Sequence, residues 1–125
     1  MKTAALIALG GALGSVGRWL VQGLAHRIAP HSAFPWGTLA VNVIGSFGIG
    51  LVMSLALERN VVSPTARFFL VTGVLGGFTT FSAFSWEALV LAREGQWAAA
   101  IAYTGGSLLA GLAAALAGVA VALRN

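Results

Sequence analysis

The chain has 125 residues, 58% of them Ala, Val, Ile, Leu, Met, Phe, Trp or Tyr, with 17 glycines besides. Only 8% are charged, too few to cover a water-soluble domain of this size, so the composition excludes one and points to lipid as the solvent. The net charge of +4 is spread as single bases without a patch, which argues against nucleic acid as a partner. The absence of cysteine removes disulfides, thiolate metal sites and thiol nucleophiles. With three acids and two histidines in all, little is left for hydrolytic or metal chemistry, and no enzyme is expected.

A helix needs about 20 apolar residues to cross the hydrocarbon, and four runs qualify, near 3–25, 36–57, 68–92 and 97–123. Short polar joints separate them, which makes neighbouring spans antiparallel. The expectation is an all-α membrane protein, a single four-helix transmembrane domain over residues 1–125 embedded in the lipid bilayer. Arg18 interrupts the first run and three further runs follow, so the first span reads as mature protein and not as a signal peptide. The joint after it holds His26 and His31, which read as ordinary interfacial residues. Trp36 and Trp97 open the second and fourth spans, where tryptophan anchors to headgroups.

Lys2, Arg59, Arg67 and Arg124 lie on the side of the termini. Arg27 and Arg93 lie on the other, with Arg18 expected to snorkel the same way. Four bases against three scarcely specify an orientation. Copies inserted both ways would pair antiparallel about a two-fold axis in the membrane plane.

In the second span Thr38, Asn42 and Ser46 recur every four residues along one face, and in the fourth Tyr103 and Ser107 do the same. Such groups either cross-link neighbouring helices or form a polar track through the bilayer. Asn42, at mid-span, needs a partner or a permeating species. Glycines crowd the first, second and fourth spans, which predicts close backbone packing.

The third span carries Gly76-Gly77-Phe78-Thr79-Thr80-Phe81-Ser82-Ala83-Phe84-Ser85. Paired glycines followed by two β-branched threonines make a poor continuous helix, so a break is expected. Freed carbonyls at a break suit a hard cation such as sodium. Phe81 and Phe84 share a face beyond it, and ring edges carry the positive part of the aromatic quadrupole. Phenylalanines in a membrane helix as a rule face lipid or core, but a ring presented edge-on can hold a small anion weakly, as conduction requires. Glu87 reads either as a mouth residue or as an interfacial acid.

Over nearly its whole length the chain resembles the small bacterial fluoride channels of the Fluc or CrcB family. The resemblance rests on Gly10-Gly11 through Gly14 with Arg18, on Pro35-Trp36-Gly37-Thr38-Leu39 with Val41-Asn42 and Gly45-Ser46, and above all on Gly76-Gly77 to Ser85. It implies a dual-topology homodimer with two fluoride pores and a structural sodium ion at its centre, held by the main-chain carbonyls of Gly76 and Thr79 from each subunit. It further implies that the edges of Phe81 and Phe84 line the fluoride pathway, with Asn42 as a donor and Tyr103 and Ser107 in a polar track. Thr38, Thr80 and Ser82 complete the expected pathway, Glu87 and Arg18 are candidates at its mouth or in its framework, and Gly111 stands where a hydroxyl would continue the track.

The implied activity is passive export of cytoplasmic fluoride across the inner cell membrane, conferring fluoride resistance. The principal alternative is a small proton-coupled multidrug exporter. That chemistry needs a membrane-embedded carboxylate, and the first span contains none. A non-transporting assembly subunit would leave the Thr79 to Ser82 cluster without a purpose.

Overall fold

The structure, a computed structural model, describes residues 1–124. Among them there is no strand. The first span is helix α1 (Lys2–Ile28) and the second is α2 (Trp36–Leu57). The third span, Pro64–Arg93, is segmented. It opens with α3 (Pro64–Arg67), widens into a π-helical stretch (Phe68–Leu75), closes again in α4 (Gly76–Phe78), and resumes as α5 (Phe81–Arg93). The fourth is α6 (Trp97–Leu123). All four spans are long and apolar enough to cross a membrane.

Local chemistry sets these boundaries. Ser63 caps α3, its hydroxyl accepting the Ala66 N–H, with Pro64 in the first helical turn where its missing N–H leaves no bond unmade. The expected break falls at Thr79 and Thr80, both extended, with φ/ψ of −77°/157° and −150°/111°. The Thr80 hydroxyl then restarts the helix by accepting the Ala83 N–H. Gly95 turns the chain between α5 and α6 at φ 77°, a conformation suited to glycine.

The spans pack chiefly as two pairs, α2 on α6 and α1 on the π-helical stretch and α4. Both pairs bring backbone onto backbone. A Cβ on Gly14 would strike the Val74 carbonyl, one on Gly77 the Gly11 carbonyl, and one on Gly118 the Phe47 carbonyl. Val41, Tyr103 and Thr38 are the largest fully buried side chains. Most other large apolar side chains, including Leu9, Leu13, Leu109 and Leu116, face outward, as expected where the solvent is lipid and not water.

Candidate functional site

The break is held from α2. Asn42 accepts the Thr80 N–H on Oδ1 at 2.8 Å and donates from Nδ2 to the Thr80 carbonyl at 3.0 Å, so one carboxamide satisfies both halves of an extended residue. A span interrupted at membrane depth needs such replacement partners. A carboxamide has two donors and two lone pairs, and half of that capacity remains where Asn42 borders the adjoining groove. The asparagine expected as a pathway donor is therefore first of all the clamp of the break.

Toward the start of α2 a hydrogen-bonded chain crosses the bundle. Gln22 Nε2 donates to Thr38 Oγ1 at 3.2 Å, Thr38 Oγ1 donates to Glu87 Oε1 at 2.8 Å, and Tyr103 Oη donates to Glu87 Oε2 at 2.7 Å. Thr38 and Tyr103 are fully buried. Glu87 also lines a cleft of about 330 Å³, together with Gln22, His26, Ser32, Trp36 and Thr38. The Glu87 carboxylate thus joins an open cleft to the buried hydroxyls.

From Tyr103 an aromatic series leads onward. Its ring centroid lies 5.2 Å from that of Phe84, which lies 5.6 Å from that of Phe81. Phe84 is half-buried, whereas Phe81 is 79% exposed. Both border a groove of about 430 Å³ on the outside of the chain, with Asn42, Ser46, Thr79, Thr80 and Ser107 around it. The Ser107 hydroxyl is buried there without a hydrogen-bond partner. Ser82 stays exposed, its hydroxyl 3.5 Å from that of Thr80.

Arg18 departs from expectation. Its guanidinium does not snorkel toward the headgroups; Nη1 donates to the Thr79 carbonyl at 3.2 Å. The break supplies the reason. In a continuous helix Thr79 O would accept the Ala83 N–H, but that group bonds to the Thr80 hydroxyl, leaving the carbonyl to an ionised donor inside the bundle. Gln22 is a member of the site that the sequence pattern does not single out, although Arg18, Gln22 and His26 follow one another every four residues and thus share one face. Trp36 does more than anchor: its ring lies 4.5 Å from that of Phe34, and its indole N–H donates to Ser32 Oγ at 3.1 Å, shaping the cleft rim.

The Thr80 N–H that would bond Gly76 O in a continuous helix is taken by Asn42, and the Ala83 N–H that would bond Thr79 O is taken by Thr80. Both carbonyls are thus released from the helical ladder, and both residues line the open groove. A carbonyl oxygen has two lone pairs, so Arg18 leaves one on Thr79. Main-chain oxygens are the ligand type a hard monovalent ion takes, and of these two the Thr79 oxygen already carries the cationic Arg18 guanidinium.

The profile of the family described as CrcB-like protein, Camphor Resistance (CrcB), matches residues 5–119. The chain is 50% identical over 121 residues to the fluoride-specific ion channel FluC of Agrobacterium fabrum, covering 97% of this chain and 96% of that one. It is 54% identical over 107 residues to the protein of the same name from Opitutus terrae, covering 82% and 79%. Over 117 residues it is 49% identical to that of Rhizobium meliloti, covering 93% and 92%. These relatives bear the names of ion channels and not of enzymes. Matched along most of its length by a family profile and by relatives about half identical to it, and built from four helices long enough to span a bilayer, this chain belongs to the CrcB family.

Proposed function

We propose that the chain is a fluoride-selective channel that lets cytoplasmic fluoride leave passively across the inner cell membrane. The observation that carries this is the continuous series of weak anion partners, from the cleft at Glu87 through Thr38 and Tyr103 to Phe84, Phe81 and the unpartnered Ser107 hydroxyl. The names of the relatives supply the ion. Each partner beyond Glu87 is neutral, and several weak sites in sequence allow an ion to enter and to leave. Thr38 and Tyr103 now donate to Glu87; a fluoride ion entering from the cleft is the other acceptor to which these hydroxyls can turn. No charged carrier is needed beyond the electrochemical gradient.

The groove supports assembly as a homodimer. Phe81, Gly76 and Thr79 border an open face at the level of the break, where lipid would leave the Gly76 carbonyl, released from the helical ladder, unsatisfied. A second copy of the chain covers it, and the near-tie of basic residues across the two sides lets that copy insert antiparallel. Gly76 and Thr79 would hold a sodium ion in this interface, where the ion supplies a fixed positive charge joining the two subunits. Arg18 keeps the Thr79 carbonyl in place.

The test is fluoride efflux from liposomes with a potassium ionophore clamping the voltage, for the native chain, for chloride in place of fluoride, and for Phe81→Ile. Fast fluoride release that chloride does not match and Phe81→Ile abolishes is expected. Trapped fluoride in well-folded protein overturns the channel. Glu87, a carboxylate inside a span, would then favour proton-coupled cation export, read as substrate uptake driven by a pH gradient.

A further inference from the structure

The polar ladders of α2 and α6 run side by side, and they stop at different heights. On α6 the spacing of four carries Tyr103 to Ser107 and then reaches Gly111, which offers no side chain. On α2 the same spacing carries Thr38 to Asn42 and on to Ser46. The two helices pack along most of their length, and the gap on one is met by the other: a Cβ placed on Gly111 would lie 3.4 Å from Ser46 Oγ.

We infer that the Ser46 hydroxyl supplies the step of the polar track that α6 leaves empty at Gly111, and that Ser46 and Ser107 together form a two-hydroxyl site for fluoride. Both residues border the groove that contains Phe81 and Phe84. The Ser107 hydroxyl is buried with no partner, whereas the hydroxyls of Thr79, Ser85 and Thr104 fold back on the carbonyl four residues earlier. A buried hydroxyl left unpaired is costly, so an anion reaching Ser107 from the groove its residue borders would gain a donor that no protein group already uses. Ile49 and Leu108 make the wall beside the two serines apolar, so these two hydroxyls, with the remaining N–H of Asn42 one turn away on α2, are the donors that compensate the ion for lost water. Their neutrality keeps the site weak enough to release it. This inference rests on the channel reading, and it assigns to α2 a role that the pattern of α6 alone would leave vacant.

The experiment is fluoride efflux from voltage-clamped liposomes for the native chain, Phe81→Ile, Ser46→Ala, Ser46→Ala with Gly111→Ser, and Ser46→Ala with Gly111→Ala, each first shown to elute as the native protein does. Ser46→Ala removes one oxygen and adds no bulk; it should slow fluoride about tenfold, the scale of one hydrogen bond to a charged group. Adding Gly111→Ser, which returns a hydroxyl to the vacated space from the opposite helix, should restore most of the flux. Gly111→Ala, which adds the carbon alone, should not. Native flux in Ser46→Ala, or equal flux in the two double variants, overturns the inference while native conduction and its loss in Phe81→Ile leave the channel standing. If the native chain itself holds fluoride in, it is the channel reading that fails.

Discussion

The side chain of Asn42 and the peptide of Thr80 form a reciprocal pair, each giving and receiving one hydrogen bond, at 3.0 and 2.8 Å. The pair sits where the third span leaves helical geometry, and it converts a backbone defect into a fixed element with a known direction. What lies beyond the break, Phe81 and Phe84 included, is aimed by it.

Asn42→Leu should therefore damage the fold and not only the pathway. It leaves two backbone groups of Thr80 without partners, each worth about 1–3 kcal/mol when buried. Thermal unfolding in detergent should show a clear loss of stability, and hydrogen exchange at residues 79–83 should rise. Asn42→Asp, which keeps an acceptor for the Thr80 N–H, should fall between the two.

Glu87 is the shared acceptor of Thr38 and Tyr103, so their substitutions should not add. Thr38→Val and Tyr103→Phe are each expected to slow ion flux. Their effects should be coupled by about 0.5–3 kcal/mol, as for members of one network, and the coupling should vanish in a Glu87→Ala background. The measurement is a double-mutant cycle on efflux rates, run with and without that third change.

The closest backbone approaches predict a sharp contrast among glycines. A Cβ on Gly14 would strike the Val74 carbonyl and lie 2.8 Å from the Phe78 nitrogen, whereas one on Gly23 meets nothing within 4 Å. Gly14→Ala should destabilise the chain by about 1–3 kcal/mol, the usual penalty of forcing packed elements apart. Gly23→Ala should be neutral or slightly stabilising, because alanine is the better helix former. Unfolding midpoints of the two variants in the same detergent test this.

Arg59 reaches from the joint after α2 to the end of α6, donating from Nη2 to the carbonyls of Leu123 and Arg124 at 3.4 and 3.2 Å. A basic group at a helix C-terminus satisfies carbonyls that have no helical partner. Arg59→Gln should raise hydrogen exchange in the last turn of α6 while leaving ion flux unchanged, since the contact lies in a joint away from the groove.

Much of this arrangement is legible in the order of the amino acids. The spans follow from apolar runs, and the break from two glycines and two threonines in close succession. The fourfold spacing of Thr38, Asn42 and Ser46 places them on one face, as the structure does. What the pattern does not disclose is the choice of partner. Asn42 had to bond to something, but only packing brings it to Thr80. Arg18 had an exit to the headgroups available to a long side chain, and it turns inward because the break frees a carbonyl within reach. The Phe68–Leu75 stretch contains no helix breaker besides Gly73 and reads as plain apolar helix; nothing in the order of its residues announces the π-helical winding it adopts where it packs on α1. Gln22 is silent for a related reason: a single amide near the end of a span carries no pattern unless Arg18 and His26 are taken with it.

That π-helical winding makes the third span a counting device. Each turn closes one residue later than in an α-helix, so the number of peptides between Phe68 and Leu75, and not the distance they cover, fixes the azimuth at which Gly77 meets α1 and at which Phe81 leaves the break. Deleting any one of those eight residues would swing everything downstream by one residue's share of a turn, somewhat less than the ~100° of an α-helix because a π-turn holds more residues. The glycine would turn away from its seat and the phenylalanines away from the groove. A residue added in the joint between Leu57 and Ser63, which borders neither the cleft nor the groove, should be absorbed as slack. Length is negotiable in this protein where the chain is wet, and phase is not where it is dry.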